Sequence, residues 1–430
     1  MSGIVGVTRQ KDVPAAGLLL YGLYALQHRG QINAGIATLV GKELVVKKGT
    51  GQVNEIFREE PNASLPGSRG VGHVKYGNYE KYDLEQPLLP KEYEFKGQKC
   101  LITVDGNILN EDFSLKEMAE SLIGSRDKAI DYFKRQKGAY GVIYLDKQKM
   151  LGIRDPWGLK PLCVGWVDQG YMIASETCAI DSAGGELIRM LEPGEMVVIK
   201  DNNLEFIKYA SKAKKSCLFE MIYVARPDSY IDGVSIYKAR NRMGKRLYYE
   251  KPTEADIVMG APDSGLIAAI GYAEASGIPY KDGIIKNRYI GRTFIDPNDT
   301  ERVKDIFIKL NPIKEVLKGK RIILVDDSVV RGMTTKRTIR MLKEAGATEV
   351  HVRISAPMVK HACNLSLDIP DAKALIAYNK SLEETRKEIG ADSLYFLSLE
   401  GLKESCSSDA FCDHCFTGNY PIKEEYESRL

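Results

Sequence analysis

Short apolar runs separated by turn residues dominate residues 1 to about 208. GIVGV, GIATLV, ELVVKKG, CLITVDG, GVIYLD, LCVGW and EMVVI are each of strand length, with Gly, Asp and Lys between them. Two stretches carry helical spacing instead, AAGLLLYGLYALQHRG after the first strand and LKEMAESLI after GNILN. This mixture predicts sheets layered with helices.

From Cys217 the pattern changes. ADIVMGAPDSG reads as a strand ending in a Gly-containing loop, and GLIAAIGYAEASG as a helix with a Gly stop. KRIILVDDSVVRGMTT is a second strand and loop, followed by the helix KRTIRMLKEAGA and the strand EVHVRISAP. Alternating strands and helices predict a parallel sheet with sites at the strands' carboxyl ends. The polar, basic segment YASKAKKS marks the boundary, giving units 1–210 and 211–430. A chain of 430 residues is too long for one core, which agrees with two units.

Composition changes this picture little. Hydrophobic content of 44% and charged content of 28% are ordinary for a globular protein. A net charge of +3 gives no reason to expect a nucleic-acid or membrane partner. No apolar run approaches the roughly 18 residues of a membrane span, and the first residues do not read as a signal peptide. A cytoplasmic location is the expectation. Eight cysteines in such a compartment are not a disulfide framework, and the Cys-x-x-Cys of FCDHC favours a metal or cluster.

IILVDDSVVRGMTT is the most informative segment. Ile322 to Val325 suffice for a buried parallel strand, and Asp326 and Asp327 follow at its carboxyl end. The small-residue loop Ser328, Val329, Val330, Arg331, Gly332, Met333, Thr334 and Thr335 leads into a helix, where backbone N–H groups can hold a phosphate. Two carboxylates beside a phosphate need something else to face, such as sugar hydroxyls or a divalent cation. A phosphorylated sugar bound with magnesium fits; the alternative is an acidic turn after a buried strand.

This segment resembles the phosphoribosyl pyrophosphate (PRPP) motif of type I phosphoribosyltransferases. Asp-Asp-Ser-Val-Val-Arg-Gly further resembles the glutamine PRPP amidotransferase family, which opens purine synthesis. The likeness runs through LYGLYALQHRGQ, CLFEMIYVARPDS, APDSG, EASGIPY, KNRYIGRTFI, GADSLYFLSLEGL and FCDHCFTGNYP, in order along nearly the whole chain. It implies an α+β N-terminal-nucleophile domain, an αββα sandwich, followed by an α/β transferase domain. It also implies that Asp326 and Asp327 hold the ribose 2- and 3-hydroxyls and that the loop holds the 5-phosphate. Asp263, Ser264 and Gly265 would hold pyrophosphate, and Mg²⁺ would sit at Ser264, Asp326 and Asp327. KNRYIGRTF resembles a loop that closes over PRPP, with Lys286, Arg288 and Arg292 facing pyrophosphate oxygens and Tyr289 excluding water. One departure is Met333, where the family usually has Thr.

Cys217, Cys363, Cys412 and Cys415 fall in contexts resembling the family's iron–sulfur branch, which implies a structural [4Fe–4S] cluster. A four-Cys zinc site and plain buried thiols remain chemical rivals. Cys100, Cys163, Cys178 and Cys406 read as ordinary.

In this family the first residue after processing is a nucleophilic Cys; here Ser2 stands in its place. The family's His-Asn-Gly-Asn, with its oxyanion hole, reads Val104, Asp105, Gly106, Asn107. A carboxylate aimed at a developing oxyanion repels it. The family's Arg-Tyr-Ser reads Lys75, Tyr76, Gly77, and the Ser-Asp-Thr-Glu segment that orients glutamine has no counterpart. These departures predict a lost glutaminase, with a slow serine-based amidase as the alternative. Three functional readings follow. The first is a transferase forming 5-phosphoribosylamine and pyrophosphate from PRPP and ammonia, free or from a partner glutaminase. The second is a non-catalytic regulatory or hetero-oligomer paralogue that binds PRPP or nucleotides. The third is the complete glutamine-dependent enzyme with Ser for Cys. The resemblance extends to purine nucleotides as inhibitors and to tetramers.

Overall fold

The computed structural model describes residues 1–58, 61–76, 88–110, 112–287, 310–363, 365, 369 and 371–422. Two antiparallel sheets fill the first half. One runs Glu186–Met190, Cys163–Val167, Gly170–Ala174, Ser2–Thr8, Arg69–Lys75, Asn33–Val40, Glu43–Thr50 in spatial order. The other runs Asn203–Lys208, Glu195–Lys200, Met150–Arg154, Gly138–Asp146, Gln98–Ile108, Lys91–Phe95. Ile4, Val71, Leu101 and Ile143 form the core between them. Helix Ala16–Ala25 covers the outer face of the first sheet, and helices Leu115–Ile123 and Arg126–Arg135 cover the second. The result is the αββα sandwich that the family resemblance implies.

The strand Ser2–Thr8 is buried along its whole length. Ile4 points into the inter-sheet core, while Val5 and Val7 point under the helix. With both faces covered, GIVGV has no reason to alternate. Its neighbour RGVGHVK escaped the sequence reading because two glycines weaken its strand signal. Those glycines answer to packing: a Cβ on Gly72 would come within 2.9 Å of Val5 and 3.1 Å of Leu23 on the covering helix. Helix Arg126–Arg135 was also missed; it is strongly polar, and its buried residues are only Ala129, Tyr132 and Phe133.

The second half holds a parallel sheet ordered Ile257–Gly260, Arg321–Asp326, Glu349–Ile354, Ser393–Phe396. Helices Leu266–Ser276, Met333–Glu344 and Leu382–Ile389 alternate with these strands; the sequence predicts the first two, the second of which begins three residues earlier, at Met333, and does not mark the third. Gly260 pairs with Val325, so the loops after the first two strands leave the sheet side by side. The core of this half also takes in Ala139 and Leu159 from the sandwich. Among the described residues, no helix is long and apolar enough to cross a membrane.

Candidate active site

The two adjacent loops meet across a cavity of about 590 Å³. Ala261, Pro262 and Ser264 line one side, and the run from Asp326 to Thr335 lines the other. The Asp327 N–H donates to Asp326 Oδ1 at 2.9 Å. The Asp327 carboxylate accepts from the hydroxyls of Ser264 and Ser328. Burial pushes both carboxyls above their ordinary range, and for Asp326 the charge on Asp327 adds to it; hydrogen bonds and the Arg240 guanidinium pull Asp327 the other way. Two adjacent carboxyls resisting ionisation are suited to a divalent cation or to a pair of hydroxyl donors.

The loop ends at Gly332, which caps helix Met333–Glu344 with φ 74°. Only glycine suits this position, because φ is left-handed and a Cβ would lie 2.1 Å from Ile376 Cδ1. The turn aims the helix amino end at the cavity, where its backbone N–H groups can bind an anion. Met333 lines the cavity and is 55% exposed. Asp263 and Gly265 do not line it: Asp263 ion-pairs with Lys286, and Gly265 caps helix Leu266–Ser276. Arg288, Tyr289 and Arg292 lie outside the described residues.

Four walls of the cavity were not anticipated from the sequence: Phe219 and Tyr223, beside Met1 and Tyr76. Phe219 and Tyr223 belong to CLFEMIYVARPDS, whose apolar character reads as core. Met1 and Tyr76 arrive together because the Tyr76 N–H donates to the Met1 carbonyl at 3.0 Å.

Ser2 stands at the sandwich edge next to this cavity, paired across the sheet with Lys75. Its backbone N–H donates to Asp105 Oδ1 at 2.8 Å. Asp105 is 1% exposed, with Lys160 Nζ at 3.4 Å and Arg29 at 3.7 Å. Burial opposes ionisation, but Lys160 and Arg29 outweigh it and hold this carboxyl below its ordinary range. The carboxylate that the sequence places at the family's oxyanion-hole position is thus engaged in a buried ion cluster. Gly106 follows it in the strand, opposite Tyr140. Lys75 lies partly buried, and burial lowers its pKa. His73, on the same strand, is fully buried and pushed down to about 3 by burial, so it is neutral at physiological pH. Gly77 lies outside the described residues.

The phosphoribosyl transferase domain model matches residues 228–373, which include both cavity loops. The amidophosphoribosyltransferase of Archaeoglobus fulgidus is 41% identical, over 98% of each chain. That of Bacillus subtilis is 40% identical over 98% of this chain and 94% of its own. The chain belongs to the amidophosphoribosyltransferase family. The B. subtilis glutamine PRPP amidotransferase, solved with ADP and GMP, superposes with a TM-score of 0.88 at 39% identity, covering 97% of both chains. The structure of an allosteric regulatory enzyme of purine biosynthesis gives 0.89 at 38% identity, covering 97% of this chain and 96% of that one. The N-terminal-nucleophile sandwich and type I transferase fold are therefore those of this amidophosphoribosyltransferase family.

The four cysteines resembling the family's iron–sulfur branch come from three separate segments. Ser216–Cys217 pairs in parallel with Phe411–Cys412, setting Cys217 opposite Cys412. The Cys415 carbonyl accepts from the N–H groups of Lys360 and His361, at 2.9 and 3.1 Å, which draws the 360s segment alongside. Burial pushes the Cys412 and Cys415 thiols up; Cys412 is raised further by Cys217 and Cys363, and Cys415 by Cys217, Cys363 and Cys412. Among the described residues, however, no group of three or more His, Cys, Asp or Glu is arranged as a metal site. The remaining thiols, Cys100, Cys163, Cys178 and Cys406, are buried and free.

Proposed function

We propose that this amidophosphoribosyltransferase makes 5-phosphoribosylamine and pyrophosphate from PRPP and ammonia, as a purine-biosynthetic pentosyltransferase without glutaminase activity. One observation carries the second half of this reading. Asp105, at the family's oxyanion-hole position, is a buried carboxylate that accepts the Ser2 N–H and faces Lys160 and Arg29. An anion there opposes the negative charge that amide hydrolysis develops, and losing a single oxyanion donor costs about 3 kcal/mol.

In the transferase half, the 5-phosphate rests on the N–H groups of the Ser328–Thr335 run, and the ribose hydroxyls face Asp326 and Asp327. The Asp263–Gly265 loop and Lys286 hold pyrophosphate, joined by Arg288 and Arg292, while Tyr289 keeps water from C1. The ammonia lone pair forms the bond to C1 as the C1–oxygen bond breaks. The electron pair leaves with pyrophosphate, and the new ammonium group gives a proton to water. Cationic side chains around the departing oxygens stabilise the charge that grows there. Ser264, Asp326 and Asp327 are oxygen donors that fit Mg²⁺, which when bound neutralises pyrophosphate charge. Met333 brings no hydroxyl, so the phosphate grip relies on backbone donors with Thr334 and Thr335.

Cys217, Cys363, Cys412 and Cys415 are four thiols, the number that a [4Fe–4S] cluster takes, and the assignment rests on their resemblance to the family's iron–sulfur branch and on the pairing of Cys217 with Cys412. Such a cluster would tie the C-terminal segment to residue 217 and play no part in the chemistry. We place the division into domains at 1–210 and 211–430, the location in the cytoplasm, and the ammonia source in solution or in a partner glutaminase. Purine nucleotides are candidate inhibitors, given the neighbour solved with ADP and GMP. The test measures pyrophosphate and glutamate release from PRPP with ammonia or with glutamine. Ammonia-dependent pyrophosphate without glutamate is expected; glutamine-dependent glutamate production overturns the reading.

A further inference from the structure

A buried line of charge runs from the Ser2 edge of the sandwich toward the PRPP cavity. Arg29 ends the short turn Gln27–Arg29 and is fully buried. Its Nε donates to the Ser2 carbonyl at 3.1 Å, and its Nη1 to Glu176 at 2.5 Å. Nη1 and Nη2 also grip both oxygens of Glu220, at 3.0 and 2.7 Å. Glu176 in turn accepts from the Arg226 N–H at 2.9 Å and the Ser229 hydroxyl at 2.7 Å. Arg29 and Glu176 belong to the sandwich, whereas Glu220, Arg226 and Ser229 belong to the segment entering the transferase.

Glu220 opens the π-helical turn Glu220–Val224. Such turns are rare and concentrate at functional sites. Arg240 holds this one from the other side, donating from Nε to the Met221 carbonyl at 2.9 Å and from Nη2 to the Ala225 carbonyl at 2.8 Å. Phe219, just before the turn, and Tyr223, within it, both wall the PRPP cavity. Packing alone does not call for this arrangement, since apolar residues of similar volume often replace buried ion pairs without loss of stability. A two-pronged guanidinium–carboxylate contact adds a fixed angle as well as a fixed distance.

We propose that Arg29 is a positioning residue for the transferase reaction: by gripping Glu220 it sets where Phe219 and Tyr223 stand in the PRPP cavity. The inference rests on the transferase reading above. It gives the sandwich a task that survives the loss of glutamine hydrolysis, as the anchor of one wall of the other active site.

The experiment compares Arg29→Met, Arg29→Lys and Glu220→Gln with the native chain, well below each variant's unfolding midpoint. The readouts are KM and kcat for PRPP with saturating ammonia, and the Kd of Mg–PRPP by calorimetry. Arg29→Met is expected to raise KM and Kd about tenfold, the worth of one charge-assisted contact. Arg29→Lys should recover part of the loss, and Glu220→Gln, which keeps one acceptor oxygen, should fall between. A folded Arg29→Met protein with native KM, kcat and Kd overturns the proposal. Should that variant not fold, native values in Glu220→Gln overturn it equally. A native chain that binds PRPP but releases no pyrophosphate refutes the ammonia reaction instead, and the calorimetric comparison still decides the role of Arg29.

Discussion

Replacing Asp105 by Asn tests whether the buried ion cluster holds the sandwich edge together. The cluster sets two cations, Arg29 and Lys160, against three carboxylates, Asp105, Glu176 and Glu220. By net charge alone, removing Asp105 would balance it. Distance argues the other way. Arg29 already has close carboxylates in Glu176 and Glu220, whereas Asp105 stands 3.4 Å from Lys160, and both are buried. Removing one partner of a buried pair costs about 3–5 kcal/mol, because the other charge stays desolvated. The Asn oxygen can still accept the Ser2 N–H, so the low end, about 3 kcal/mol, is expected. At 2–4 °C per kcal/mol for a unit of this size, the midpoint should fall by roughly 6–12 °C. The pH dependence has a definite sign. The Asp105 carboxyl sits below its ordinary value when folded, so its contribution is full at neutral pH. It disappears as pH falls through that lowered value, below about 4, so native and variant midpoints should converge in acid. Differential scanning fluorimetry across pH reads both effects. An Asp105→Asn midpoint equal to or above the native one at pH 7 would refute the reasoning and mark Asp105 as the excess charge.

Ser2→Cys should release no glutamate from glutamine, with or without PRPP, since a thiol leaves the Asp105 carboxylate at the family's oxyanion-hole position; measurable glutaminase in that variant would refute the proposed loss. Asn at both Asp326 and Asp327 should weaken Mg-dependent PRPP binding by at least about tenfold, because each carboxylate contact is charge-assisted, and unchanged calorimetric affinity would sink the assignment. Protein purified without oxygen should be brown and carry about four irons per chain by elemental analysis, whereas zinc without iron would exclude the cluster.

The transferase loop was legible in the sequence because its signal is local. A buried strand, two Asp and a small-residue turn lie within fourteen consecutive residues, IILVDDSVVRGMTT, and the backbone they dictate is the backbone that carries the loop. The strands and helices around it follow from the same short-range periodicity. Phe219 and Tyr223 could not be assigned this way, since an aromatic in an apolar run looks the same whether it meets core or cavity; the π turn and its two arginine grips decide which. The surroundings of Ser2 were only half legible. The residue types at Ser2, Lys75 and Asp105 depart from the family's pattern, but the partners of the Asp105 carboxylate are not written in the sequence. Asp105 lies 103 residues from Ser2, and Glu220 lies 191 from Arg29. Sheet stacking and the meeting of sandwich and transferase bring them into contact. A charge's effect depends on which opposite charges stand within a few ångströms in a low dielectric, and that neighbourhood exists only once the chain is folded.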